Sequence, residues 1–249
     1  MVKLKTSNGT KEHQVVTRKE WLAARKRLLV KEKQFSRLRD QMAQLRRDLP
    51  WVKVEKEYVF DGPNGKESLA DLFGGKSQLV VYHFMFGPGW GEGCPHCSFW
   101  ADHFDSAGLH LGQRDTALAV VSRAPLKEIA PFKKRMGWQF KWVSSAKNDF
   151  NLDYYVSFTP EQIRSGTLFY NYANIEMDMS DREGVSAFYK DKNGDVFHTY
   201  SAYARGIDLL NNTYNFLDLT AKGRDENPDR PQDWVRYHDK YPGSARRRR

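Results

Sequence analysis

Gln78-Leu-Val-Val-Tyr-His-Phe-Met-Phe86, then Gly87-Pro-Gly-Trp-Gly-Glu-Gly93, then Cys94-Pro-His-Cys97-Ser-Phe-Trp-Ala101 is the stretch whose reading decides the fold of this 249-residue chain. The first run is almost continuously apolar and of strand length, as suits a central strand covered on both faces. The glycine-rich run ends it. Pro95 then fits the first turn of a helix, where an amide N–H has no partner to lose. Phe99, Trp100, His103 and Phe104 recur at helical spacing and give that helix a buried face.

The chain has two cysteines, and this C-x-x-C holds both. Such a concentration of sulfur points to a dithiol/disulfide centre. If the segment after Cys94 is helical, the sulfurs lie on adjacent turns and can close a disulfide. Cys94 then sits at the helix start, where free N–H groups and the positive end of the dipole favour a thiolate. The expected roles are Cys94 as attacking thiol and Cys97 as resolving thiol. His96, protonated and close, tunes the pair towards oxidising behaviour.

Composition bounds the setting. With 40% hydrophobic and 14% aromatic residues, the chain is long enough to bury a sizeable core. No stretch approaches the apolar length of a membrane span. Met1 to Thr10 lacks the uninterrupted apolar segment of a secretory signal, so a cytoplasmic location is expected. A lone C-x-x-C there is catalytic more often than structural. The net charge of +9 includes four arginines at 246–249, and on the first helix basic residues alternate with acidic ones. That pattern reads as solvated surface, and no nucleic-acid-binding motif accompanies it.

Residues 17 to 49 form the clearest helix. Thr17-Arg-Lys-Glu20 is a capping box, and Pro50 ends the segment. Trp21, Leu28, Phe35, Met42 and Leu49 repeat every seven residues, joined by Leu38 and Leu45 and interrupted at Ala24 and Lys31. An arm of about 45 to 50 Å, at 1.5 Å per residue, outruns a small domain, so a homodimer through this helix is one expectation. Packing on its own domain is the other.

From residue 51 strand and helix patterns alternate. Val52 to Phe60 reads as a strand, 61–65 as a turn, Glu67 to Phe73 as a short helix, Thr116 to Val121 as a strand, and a helix starts at Pro125. Trp138 to Ser144 reads as a third strand. Val185 to Tyr189 and Val196 to Tyr200 flank a hairpin turn at 191–194, and Ile207 to Leu219 reads as a closing helix. The class is α/β, a mixed central sheet with helices on both faces. The domains expected are a helical arm, 1–50, a body, 51–220, and an irregular extension, 221–249, with a disordered basic tail.

The strand, loop and cysteine helix, with the later hairpin and helix, resemble the thioredoxin fold across residues 51 to 220. Phe60-Asp-Gly62 with Ser68-Leu-Ala-Asp-Leu-Phe-Gly-Gly-Lys76 is similar to the peroxiredoxin-type branch, the alkyl hydroperoxide reductase and thiol-specific antioxidant group. Trp21, Leu28-Leu29, Glu32-Lys33, Arg37-Leu-Arg-Asp40, Leu49-Pro-Trp-Val52, Tyr200-Ser-Ala-Tyr-Ala-Arg-Gly206 and Gly223-Arg-Asp-Glu226 resemble a largely uncharacterised bacterial thioredoxin-like family. Two features depart from these relatives. Gly87 and Gly91 stand where peroxiredoxins carry Pro and Thr or Ser, which speaks against direct peroxidase activity. No proline lies between Pro160 and Pro228, so Gly184-Val185 takes the place of the cis-proline that faces the cysteines in thioredoxins.

The function expected is a thiol-disulfide oxidoreductase using Cys94-Pro95-His96-Cys97, with an unknown disulfide or oxidised substrate and an intracellular thiol donor as partners. No cofactor and no membrane partner are expected. Two alternatives stand beside it. One is a metal site built from Cys94 and Cys97 with histidines, His103 and His110 fitting if the helix runs through Gly108, and His198 if the hairpin adjoins the central strand. The other is a non-catalytic interaction module whose heptad arm and aromatic residues, Trp138, Trp142, Tyr154, Tyr155, Tyr170 and Tyr172, serve assembly. The ordinary role of His83 and His103 is that of satisfied core residues.

Overall fold

The computed structural model describes residues 3–4 and 13–244. The basic tail at 246–249 lies outside the described residues. The chain forms two compact units, Met1–Pro50 with Phe216–Asp225 and Trp51–Asn215 with Glu226–Arg249.

In the first unit Lys3–Leu4 (β1) pairs antiparallel with His13–Gln14 (β2), and Arg18–Arg47 forms α1. Thr17 caps α1 with both halves of the capping box, its hydroxyl accepting from the Glu20 N–H while the Glu20 carboxylate accepts from the Thr17 N–H. Cap and periodicity set this helix; burial does not. None of its residues is buried, and the heptad side chains Trp21, Leu28, Phe35 and Met42 are all exposed.

The second unit is an eight-stranded mixed sheet with helices and loops on its faces. Its elements in order are Val52–Lys53 (β3), Val59–Gly62 (β4), Gly65–Ser68 (β5), Gln78–His83 (β6), Pro95–Ala101 (α2), Phe104–Gly112 (α3), Thr116–Ser122 (β7), Leu126–Met136 (α4), Lys141–Ser144 (β8), Phe150–Asp153 (α5) and Pro160–Ser165 (α6). Thr167–Tyr170 (β9), Ala173–Glu176 (β10), Gly184–Lys190 (β11) and Val196–Tyr203 (β12) follow, and Asn212–Leu217 (α7) starts in this unit and ends in the first. The strand order is β3-β12-β11-β6-β7-β8-β4-β5. β6, β7 and β8 run parallel, and β11 and β12 run antiparallel on the other flank of β6. Parallel strands joined by helices, then an antiparallel hairpin beside the strand that precedes the cysteines, make this a thioredoxin-like α/β fold.

Four local readings need correction. The strand expected over 52–60 is broken: β3 lies at one end of the sheet against β12, and β4 lies next to the other end, between β8 and β5. Residues 54–58 carry the chain from one edge to the other, which no alternating pattern reveals. The helix expected over 67–73 is the second strand of a hairpin followed by one turn of 3-10 helix, Asp71–Phe73, because Val59 to Gly62 offers a ladder to residues 65–68. The strand expected from Trp138 begins at Lys141. The closing helix is interrupted at Asn211, whose buried side chain accepts from the Tyr214 N–H and starts a new helix after a 3-10 stretch at Ala204–Leu210. α6 carries a legible signal, since Thr159 and Gln162 form a second capping box.

The aromatic core lies on both faces of the sheet. Phe60, Phe150, Tyr154 and Phe188 pack on one face, while Phe84, Phe86, Phe132, Trp138 and Trp142 meet in tilted and edge-on contacts on the other. Of the six aromatics considered for an interface, Trp138, Trp142, Tyr154 and Tyr170 are buried, and Tyr155 and Tyr172 are exposed.

One buried ion pair joins the strand ends near the cysteines. Arg123, just after β7, donates from Nε to Asp181 Oδ1 at 2.8 Å and from Nη2 to Oδ2 at 2.6 Å. Asp181 also accepts from the hydroxyls of Ser157 and Ser180. Removing one member of such a pair leaves a charge buried without its partner. Asp181→Ala is therefore expected to destabilise the fold by about 3 kcal/mol or more, read as a shift of the urea unfolding midpoint, whereas Arg164→Ala on the exposed face of α6 leaves the midpoint nearly unchanged.

Candidate functional site

β6 delivers the chain to the site. After His83 the backbone continues extended and buried through Phe86, and the glycine-rich loop turns back so that the Cys94 N–H donates to the Met85 carbonyl at 2.9 Å. Gly93 is required at the return, since a Cβ there would come within 2.6 Å of Phe84 and 2.8 Å of Phe132. The Tyr237 hydroxyl donates to the Gly93 carbonyl at 2.6 Å and ties the C-terminal segment of this unit to the loop.

Cys94 is the N-cap residue of α2, with Pro95 in the first turn, and both cysteines are free thiols. Cys94 is half-buried, and Cys97, one turn on, is buried. The Met85 N–H points at Cys97 Sγ at 3.4 Å. Hydrogen bonding from the Cys97 thiol, helped by His96 and by the Cys97 backbone N–H, holds the Cys94 thiol well below its ordinary value against the opposing effect of burial. Burial, followed by the neighbouring Cys94 sulfur and the Glu183 carboxylate, pushes the Cys97 thiol well up. His96 is shifted up, chiefly by its hydrogen bond to Cys94. The arrangement favours charge on Cys94, with His96 beside it, and disfavours charge on the buried Cys97.

These three residues line a cavity of about 310 Å³ together with Tyr82, Met85, Trp100, Met179, Arg182, Glu183, Arg205, Asp208 and Gln232. Trp100 is held by a 3.0 Å bond from its indole N–H to the Ile207 carbonyl. Tyr82, on β6, is fully buried, and burial first and the nearby Cys97 sulfur second push its hydroxyl far up. Glu183, rather than Gly184-Val185, faces the cysteines from the start of the hairpin. Gly184 is packed too tightly for a side chain, since an added Cβ would lie 2.7 Å from the Tyr203 ring. Tyr82, Arg182 and Glu183 escape a reading of motifs because they reach the pocket only through sheet order.

The other histidines are elsewhere. His83 is fully buried on the opposite face of the sheet, its Nε2 2.8 Å from the Ser186 hydroxyl in a chain that continues through Ser201 to His198. Burial, then the nearby His198, pushes its pKa down to about 3, so it is a neutral core residue. The hairpin does adjoin β6, yet His198 belongs to that network and not to the cysteine pocket. His103 precedes α3 and meets Thr213 at 3.2 Å. The helix does run through Gly108 to Gly112, but among the described residues no three His, Cys, Asp or Glu side chains form a group able to hold a metal ion. No helix among them is long and apolar enough to cross a membrane.

Sheet order and the cysteine helix thus define a thioredoxin-like fold. The chain belongs to the family described as "Bacterial protein of unknown function (DUF899)", which matches residues 10–241. Among curated proteins no sequence matches it. Solved structures similar to it include the peroxidoxin BcpB from Mycobacterium tuberculosis, at 14% identity, 66% of this chain, 95% of that one and a TM-score of 0.42. The bacterioferritin comigratory protein of Xanthomonas campestris aligns at 14% identity, over 70% and 100% of the two chains, with a TM-score of 0.44. A yeast mitochondrial 1-Cys peroxiredoxin aligns at 16% identity, over 66% and 74%, with a TM-score of 0.37. At these identities and scores the likeness bears on neither activity nor substrate.

The electrostatics of the pair set an order of reactivity. Between about pH 6 and 7, where a free thiol is almost wholly protonated, iodoacetamide is expected to label Cys94 first and Cys97 only after unfolding, as peptide mass spectrometry reads. Because the folded Cys94 value lies below the unfolded one, this group stabilises the reduced protein fully above the unfolded thiol value, and the contribution fades as pH falls through the folded value. Preferential labelling of Cys97 reverses the two roles.

Proposed function

We propose that the chain is a thiol-disulfide oxidoreductase in which Cys94 attacks and Cys97 resolves. The observation that carries this reading is the placement of the two thiols of one C-x-x-C, Cys94 half-buried on the cavity wall at the start of α2 and Cys97 buried one turn on. A depressed Cys94 supplies a nucleophile near neutral pH, and a buried, protonated Cys97 waits until a mixed disulfide has formed. His96 acts as a positioning residue, its imidazolium favouring the thiolate and so the reduced state of the couple. An intracellular thiol donor returns the pair to the dithiol, in keeping with a cytoplasmic setting. The cavity at Cys94 supports exchange with a bound substrate over a purely structural role for the cysteines.

The test is a redox titration with variants. The wild-type couple is expected to lie above about −270 mV, the value of a reducing thioredoxin, and His96→Ala to lower it while raising the pH midpoint of alkylation by about one unit. Cys94→Ser is expected to abolish exchange, and Cys97→Ser to accumulate a mixed disulfide at Cys94. Full activity in Cys94→Ser refutes the reading in favour of an interaction module.

We also propose that α1 pairs with α1 of a second copy. Thirty residues without one buried side chain, carrying a seven-residue apolar repeat, match a helix of the same repeat. Sedimentation of the wild type as a dimer at micromolar concentration, and of a Phe35→Glu, Met42→Glu variant as a monomer, is the expected result. A monomeric wild type rejects the pairing.

A further inference from the structure

The wall of the cysteine pocket carries two Arg–carboxylate pairs. Arg182 and Glu183 are consecutive, and Arg205 and Asp208 stand 3.4 Å apart. The Arg182 side chain is only 25% exposed, yet its closest carboxylate stands beyond hydrogen-bond distance. The group sits 5.0 Å over the Tyr170 ring, Nη1 meets the Met179 sulfur at 3.5 Å, Nη2 stands 3.7 Å from Glu183 Oε1, and Nε is buried with no partner among the described residues. A buried Nε–H left without an acceptor is costly, and the planar fork to which it belongs matches a carboxylate. Glu183 accepts from the Tyr170 hydroxyl at 3.2 Å, which holds it beside Arg182. A cationic donor and an anionic acceptor therefore lie side by side in a cavity of small-molecule size, on the same lining as Cys94.

We infer that the exchange partner is a low-molecular-mass disulfide, or the thiol it becomes, bearing an α-amino acid group. Arg182 takes the α-carboxylate, Glu183 takes the α-ammonium, and the attached sulfur is left to Cys94. The second pair, Arg205 with Asp208, matches the other end of a symmetrical disulfide. The inference rests on the oxidoreductase reading and adds the substrate class to it. In the reductive direction the Cys94 thiolate attacks one substrate sulfur, the substrate S–S bond breaks, and an amino-acid thiolate leaves. That thiolate takes the Cys97 proton. The Cys97 sulfur then displaces the second thiolate from Cys94, so the centre loses two electrons to become a disulfide, and the substrate gains two to become one thiol and one thiolate, which takes its proton from water.

The experiment is an oxygen-free single turnover of the fully reduced protein with excess cystine or excess 2-hydroxyethyl disulfide. Both probes are neutral overall, and only cystine carries amino acid groups. Each rate is divided by that of a small reference thiol with the same disulfide. The wild type is expected to prefer cystine by about tenfold or more, the scale of hydrogen bonds to charged groups. Arg182→Gln is expected to remove most of that preference, Arg182→Lys to keep part of it, and Glu183→Gln to reduce it. Equal corrected rates for the two probes, a preference untouched in Arg182→Gln, or faster exchange with insulin than with either probe overturns the substrate class while the oxidoreductase reading stands. Silence of Cys94 towards every disulfide overturns both.

Discussion

The bidentate contact between Arg123 and Asp181 is the constraint on which the cysteine site depends. It joins the end of β7, which belongs to the parallel half of the sheet, to the loop that enters β11 in the antiparallel half. Two bonds from the guanidinium and two from serine hydroxyls satisfy the Asp181 carboxylate in a place almost sealed from water. Buried pairs of this kind contribute less to stability than to fixing one arrangement among several. Here the arrangement fixed is the course of residues 182 and 183 past the cysteines. Gly87 shares the constraint, since a Cβ on it would meet the Trp90 indole and come within 3.3 Å of Asp181 Oδ2. The glycine loop and the hairpin entrance therefore approach one another through the same carboxylate.

The chemistry of the pair follows from unequal burial on one helical turn. Cys97 faces inward against Tyr82 and Met85, where charge is unfavourable, and Cys94 faces the cavity with His96 beside it. Each sulfur sharpens the state of the other: the thiol of Cys97 donates towards Cys94, and the charge on Cys94 opposes ionisation of Cys97. Charge is thereby favoured on the outer sulfur over the inner one.

Much of this is legible in the order of residues alone. A continuous apolar run, a glycine loop and a proline after a cysteine give β6 and α2, and the hairpin signal at 191–194 gives β11 and β12. Cys94, Cys97 and His96 need nothing beyond spacing. The features that local patterns miss are decided by partners far along the chain. Val52 to Phe60 alternates as a strand does, yet its two ends pair at opposite edges of the sheet, and Glu67 to Phe73 carries helical residues that Val59 to Gly62 recruits into a ladder. Arg182 and Glu183 are ordinary charged residues until the antiparallel placement of β11 beside β6 sets them against the cysteines. His83 and His198, open as ligands by residue type, are claimed instead by two serines on neighbouring strands.

The divided course of residues 52 to 62 bears on how the sheet is completed during synthesis. β3 is the first strand of this unit to leave the ribosome, and its partner β12 is the last of the eight, so β3 waits unpaired while nearly the whole unit emerges. Pairing across such a sequence separation is slow to close and leaves strand edges open meanwhile. The waiting strand is two residues long and one of them is a lysine, features that blunt an edge against association with other chains. β5, which closes the opposite edge, is also short and also carries a lysine, Lys66. The nascent chain thus exposes little that another chain can extend.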